Sequence, residues 1–164
     1  MKILKLSLLI ALISTSFACK KEHTETAEVF FSGITNRDED GNLNGFVDED
    51  DWNLNTTFNS KENALFPADN FSICGDATDT VLKVYSYPNP SNGVFLFGCI
   101  IEFDSISLRV VDDNYKVLYA KDNLTRPSLS IVENGDGGSR LVRMYYRAYN
   151  DSCVYQGYGD LSIR

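Results

Sequence analysis

Residues 94–111 read VFLFGCIIEFDSISLRVV, and this stretch decides the fold. Phe95, Phe97, Cys99, Ile101 and Phe103 alternate with less apolar neighbours, the two-residue period of a strand that turns one face to a core. Asp104 and Ser105 then supply a turn, and Ile106, Leu108 and Val110 resume the same period.

The pattern extends on both sides. Val81 to Tyr87 form a β-rich run closed by PNPSNG at Pro88 to Gly93. After Val110 the triplet Asp112-Asp113-Asn114 turns the chain before a strand over Lys116 to Ala120. Leu129 and Ile131 mark a further strand, and NGDGGS at Asn134 to Ser139 forms a loop. Arg140 to Tyr149, Cys153 to Tyr158 and Asp160 to Ile163 complete the set. About seven or eight short strands with regular turn signals predict a mainly β protein, an antiparallel β-sandwich over residues 79–164.

Val84 to Phe97, VYSYPNPSNGVFLF, resembles the opening of the C-terminal sorting domain of type IX secretion cargo: a strand, a YPNP-x-x-G turn and a second apolar strand. Tyr87, Pro88, Asn89, Pro90, Asn92 and Gly93 match the turn. Its prolines fix φ, and Gly93 tolerates left-handed geometry. Ile106 to Tyr119 resembles the family's next hairpin, with Asn114-Tyr115 where a glycine is usual. Ser139 to Tyr146 loosely echoes a late strand, and the ending GYGDLSIR departs from the family's basic, β-branched tail. The resemblance covers roughly 85 residues, the size of a small domain. It implies an immunoglobulin-like sandwich and a bacterial phylum that uses type IX secretion. Asp79-Thr80-Val81 and Asp104-Ser105-Ile106 also resemble the short O-glycosylation motif of exported proteins in that phylum.

Ahead of the sandwich, residues 29–78 read as a small, loop-rich segment with one short helix. Asn59 to Phe66 (NSKENALF) carries it: Asn59 or Ser60 caps, Glu62 offers the returning carboxylate, and Pro67 stops the helix. Asp40 to Asp51 reads DGNLNGFVDEDD. Asp40, Asn42, Asn44, Asp48 and Asp51 fall on the alternating oxygen positions of a twelve-residue calcium loop, with Gly45 at the sharp turn and the Phe46 carbonyl between. The pattern resembles a single dockerin or EF-hand-type calcium loop, which implies a structural calcium pinning this segment to the sandwich. A solvated acidic turn is the competing reading, because Asp, Asn and Gly make turns unaided. Trp52, directly after the loop, reads as a packing anchor, with a sugar platform as its alternative.

The first 18 residues give an address. Lys2 and Lys5 precede an apolar run from Leu6 to Phe17, about 12 residues against the roughly 20 a spanning helix needs. Ala18 stands directly before Cys19. This resembles a bacterial lipoprotein signal, although Ser16 stands where leucine is usual; an ordinary secretory signal is the alternative. The resemblance implies cleavage after residue 18, lipid such as palmitate on Cys19, and anchoring in the outer membrane. Residues 19–28 form a polar tether, where His23, the single histidine, is solvated.

The formal net charge is −8, and removing the signal takes away two lysines and no acid. So acidic a chain excludes nucleic acid as the expected partner and leaves lipid on Cys19 as the membrane contact. Three further cysteines in an exported chain predict one disulfide. Cys99 sits in an apolar strand and reads as a packing thiol, whereas Cys74 and Cys153 stand beside turn residues and are the favoured pair.

Arg143, Tyr145, Arg147 and Tyr149 alternate along one strand face. They are expected to be a recognition face for an anionic glycan or a protein, or else an ordinary solvated sheet surface. No histidine lies in the folded part, and no nucleophile elbow or phosphate-cradling loop occurs. The chain is therefore expected to act without catalysis, as an accessory subunit of an outer-membrane complex for secretion, assembly or nutrient uptake. A surface glycan-binding module is the alternative.

Overall fold

The computed structural model describes residues 28–54, 56–75, 84–100, 103–126, 128–132, 139–151 and 153–164. The signal, Cys19, most of the tether, Asp79-Thr80-Val81 and Ile101 lie outside the described residues. Among the described residues the structure is mainly β, 47% strand against 4% helix.

The helix is α1 (Ser60–Ala64), and the strands are β1 (Ser72–Ile73), β2 (Val84–Tyr87), β3 (Val94–Cys99), β4 (Ser105–Val111), β5 (Val117–Leu124), β6 (Ser128–Val132), β7 (Arg140–Asn150) and β8 (Cys153–Ile163). Two sheets form, one of five strands in the order β1-β8-β7-β4-β5 and one of three in the order β2-β3-β6. Their neighbours pair antiparallel except at one edge, where Ser72 and Ile73 run parallel to Cys153 and Val154. The larger sheet is thus mixed, because the segment before β2 returns to the β8 edge.

Alternation works as expected on β3, where Phe95 and Phe97 are 1% exposed and the Cys99 thiol is buried. The strand ends at Cys99, and Ile100 is exposed. One apolar cluster draws on both sheets, joining Val84, Phe95 and Phe97 to Leu108, Val110, Met144, Tyr146 and Leu161. Strands β4 and β7 do not alternate in burial, however, and are buried through most of their length on both faces. The second face lies under the loop-rich segment, where Val29, Phe58 and Phe66 form a cluster with Val111 and Tyr145.

Helix α1 closes this cover. Asn59 is its N-cap, accepting from the Lys61 and Glu62 amides, while Glu62 Oε2 accepts from the Asn59 amide at 2.7 Å, a complete capping box. Glu62 Oε1 also accepts from the Tyr145 hydroxyl at 2.9 Å, so one carboxylate caps the helix and ties it to β7.

Cys153 to Ile163 is one strand, where the sequence pattern suggested two parted at Gly159. Both glycines make room: a Cβ on Gly159 would enter the Trp52 indole, and one on Gly157 would meet the Asn53 carbonyl and the Tyr146 hydroxyl. The outer edge of β8 is covered by the same segment, since its carbonyls at Tyr158, Gln156 and Val154 accept from the amides of Trp52, Thr56 and Cys74. Covering an edge in this way removes its unpaired groups from other chains.

Candidate functional site: a cleft over the covered sheet face

The Arg-Tyr row on β7 is not an open face, which corrects the expectation from its alternation. Arg143 and Arg147 are each 7% exposed and Tyr145 is 0% exposed; Tyr149 alone is partly accessible. The loop-rich segment lies on them, and the polar groups of Arg143 and Tyr145 are turned to structural use. Arg143 donates from Nε and Nη2 to the two carboxylate oxygens of Asp160 at 2.6 and 2.7 Å, and from Nη2 to the Phe30 carbonyl. Its guanidinium lies 4.1 Å from the Tyr158 ring centroid, and although burial opposes the charge, Asp160 holds its pKa above the ordinary arginine value. Burial, reinforced by the Glu62 carboxylate, pushes the Tyr145 hydroxyl far above its usual pKa.

Two further basic groups occupy this face. Arg109 on β4 donates from Nη2 to both oxygens of Asp122, from Nε to the Leu65 carbonyl and from Nη1 to the Leu108 carbonyl. Arg147 is held more loosely. Nη1 donates to Asp69 Oδ2 at 3.0 Å and Nη2 to Asn63 Oδ1 at 2.7 Å, while its Nε–H has no hydrogen-bond partner. The guanidinium stacks over Phe66 at 4.8 Å and Phe58 at 5.9 Å.

Arg147 lines a cleft of about 760 Å³, together with Thr56, Thr57, Asn63, Phe71 and Gln156. That size lies in the range of small-molecule sites, and its lining mixes aromatic walls with amides and hydroxyls. Residues 67–71 cross the sheet as a strap, held by Asp69 to Arg147 and to the Tyr149 hydroxyl at 3.2 Å. Phe71, 41% exposed, meets Tyr149 edge-on with centroids 5.2 Å apart. Beyond the strap lies a second cleft of about 480 Å³, sharing Pro67, Asp69 and Phe71 with the first and lined also by Asp104, Asp122 and Asp151.

The residues of the expected calcium loop are divided. Asp40, Asn42, Asn44 and Phe46 are exposed, in a small hairpin bridged between Arg37 and Leu43. Asp48 and Asp51 are buried, with all four carboxylate oxygens accepting protein donors. Asp48 takes Ser32 Oγ and the Asp50 amide; Asp51 takes the Thr35 and Asp160 amides. Among the described residues no three His, Cys, Asp or Glu side chains group so as to hold a metal ion. Trp52 is 8% exposed at φ 62°, stacked on Tyr146 with centroids 6.5 Å apart, so it lies in the core and not at a surface.

Cys74 and Cys153 are brought together, with Cα atoms 4.9 Å apart and a disulfide between them. The bridge fixes β1 to the start of β8, beside the cleft. Sequence reading passed over Asn63, Asp69, Phe71 and Gln156, which lie on loops or are separated by up to 93 positions from one another. The signal that was present is Arg109 within the apolar run SISLRVV, a charge that needs a buried partner.

Compared with protein-family models, curated proteins and solved structures, the chain matches none.

Proposed function

We propose that this chain is a lipid-anchored, non-catalytic binding protein of the bacterial outer membrane, serving as an accessory subunit of an envelope complex. The observation that carries a binding role is the cleft at Arg147, whose size and mixed aromatic and polar lining suit recognition. Two sheets contributing to one apolar cluster support an immunoglobulin-like sandwich as the scaffold. The signal ending directly before Cys19 supports lipid as the membrane contact and makes a second export address redundant, so the sorting-domain-like region serves as fold.

Affinity purification of the tagged lipoprotein from its native envelope tests this. A stoichiometric outer-membrane protein is the expected result, and recovery of the lipoprotein alone overturns the subunit reading. A glycan-binding module is the second reading, favoured by Phe71 at the cleft rim beside Thr57, Asn63 and Gln156.

A further inference from the structure

We propose that the cleft binds a uronate-bearing oligosaccharide whose carboxylate docks side-on against Arg147. This rests on the cleft being the binding site. The argument begins with a contrast among three arginines on one sheet face. Arg143 and Arg109 each hold a carboxylate through two hydrogen bonds, Arg143 by the side-on pairing of Nε and Nη2 with Asp160. Arg147 has the same surroundings of buried sheet and aromatic rings, yet meets Asp69 through Nη1 alone. Its Nε–H has no partner, and Nη2 reaches only the neutral Asn63 oxygen.

A buried donor without an acceptor is costly, and a planar carboxylate across Nε and Nη2 would satisfy it in the geometry this protein already uses at Asp160. Reaching that edge requires the carboxylate to displace Asn63 from Nη2, because the Nε atom is enclosed. Asp69, whose side chain is 20% exposed, sits at the other side of the guanidinium and can remain there.

The rest of the lining selects a sugar as the carrier. Arg147 and Asp69 are the charged residues of the cleft and offset one another, so what remains is neutral. The exposed Thr57 hydroxyl suits a ring hydroxyl, while the Thr56 hydroxyl and the Gln156 amide, which donate to the Asn53 and Thr56 carbonyls, form the polar floor beside it. Phe71 offers an accessible aromatic wall for the apolar face of a pyranose.

The test is titration calorimetry on the mature, detergent-extracted lipoprotein. The probes are trimers of galacturonic and mannuronic acid, with galactose and mannose trimers as neutral controls. We expect a uronate trimer to bind at least about tenfold more tightly than its neutral counterpart, with affinity falling as salt rises. Arg147→Lys keeps the charge but loses the planar fork, and is expected to weaken uronate binding about tenfold or more. Should that variant fail to fold, Phe71→Ala carries the test at the rim, and is expected to weaken uronate binding with the thermal midpoint retained.

Absence of uronate binding, equal binding of acidic and neutral trimers, or affinity unchanged in the folded variants overturns the proposal. A peptide with a free C-terminal carboxylate that displaces the trimer and binds more tightly assigns the cleft to protein termini and also overturns it. An envelope partner retained by Arg147→Lys while uronate fails leaves the subunit reading standing. Uronate binding with no co-purified partner removes that reading and keeps this one.

Discussion

Arg143 and Asp160 face each other across neighbouring strands with both carboxylate oxygens bonded, at 2.6 and 2.7 Å, and both side chains buried. Because Arg143 also donates to the Phe30 carbonyl, the pair anchors the covering segment as well as joining β7 to β8. Asp160→Ala leaves a buried guanidinium without its counter-charge and is expected to cost about 3–5 kcal/mol in urea unfolding. A loss under about 1 kcal/mol would show that water replaces the carboxylate and that the cover is not held here.

Asn89 is fully buried and links three parts of the chain. Its Nδ2 donates to the carbonyls of Thr35 and Asp160, and its Oδ1 accepts from the Ser162 amide. Asn89→Asp turns two donors toward carbonyl oxygens into an acceptor, so it is expected to destabilise more than Asn89→Ala. Each group left unsatisfied costs about 1–3 kcal/mol, and thermal midpoints of the two variants check the order.

Burial, with Asp160 adding to it, raises the Asp51 pKa from 3.8 to about 6, in spite of two amide donors. A raised carboxyl pKa means that the folded state holds the proton where the unfolded chain has lost it. The stability from this group is full below pH 3.8 and is lost as pH rises to about 6. Unfolding free energies of wild type and Asp51→Asn, measured from pH 3.5 to 7.5, are expected to differ by a slope confined to that window. Parallel curves would place the Asp51 carboxyl at its ordinary value.

Trp52 is the single tryptophan, stacked on Tyr146 and pressed against the backbone at Gly159. Gly159→Ala puts a methyl into the indole and is expected to cost about 1–3 kcal/mol or more, with a red-shifted fluorescence maximum. Trp52→Phe is expected to cost less than removing a hydrogen-bonded indole, because its Nε1–H has no partner.

The Cys74–Cys153 bridge closes a separation of 79 residues. On the chain-entropy account its loss is worth roughly 4–5 kcal/mol. Cys74→Ser with Cys153→Ser is expected to lower the thermal midpoint and to speed amide exchange first at position 74, where the backbone N–H donates to the Val154 carbonyl. Exchange unchanged there would show that the two-residue pairing of β1 holds without the bridge.

Local patterns were legible wherever one interaction dominated. Alternation on β3, the Asn59 cap with Glu62, and the left-handed turn residue Gly93 at φ 87° follow from rules that act over a few positions. The hairpin after β4 shows where such rules stop. Tyr115, standing where a glycine would be at ease, takes φ 60°, and its ring stacks 6.4 Å from Tyr145 under Lys61. Packing across the fold compensates what the local backbone disfavours.

The burial of the Arg-Tyr row has a related reason. Period-two patterning reports that two faces differ, not that the polar one meets water. Arg143, Arg147 and Arg109 are covered because distant residues supply Asp160, Asp69 and Asp122 as partners. Once paired, a charge can be buried; the apolar run around Arg109 hints at this, but the alternation around Arg143 and Arg147 does not.

Sequence alone determined that the chain is mainly β, where its strands run in the core and where its helix starts, because alternation and capping are local and repeat along the chain. Tertiary structure alone decided that Val29, Phe58 and Phe66 cover the second face of the larger sheet, that β1 joins it in parallel, and that Arg147 and Phe71 line one cleft. Those outcomes depend on contacts up to 113 residues apart, as between Arg143 and Phe30, and chain neighbours carry no record of such contacts.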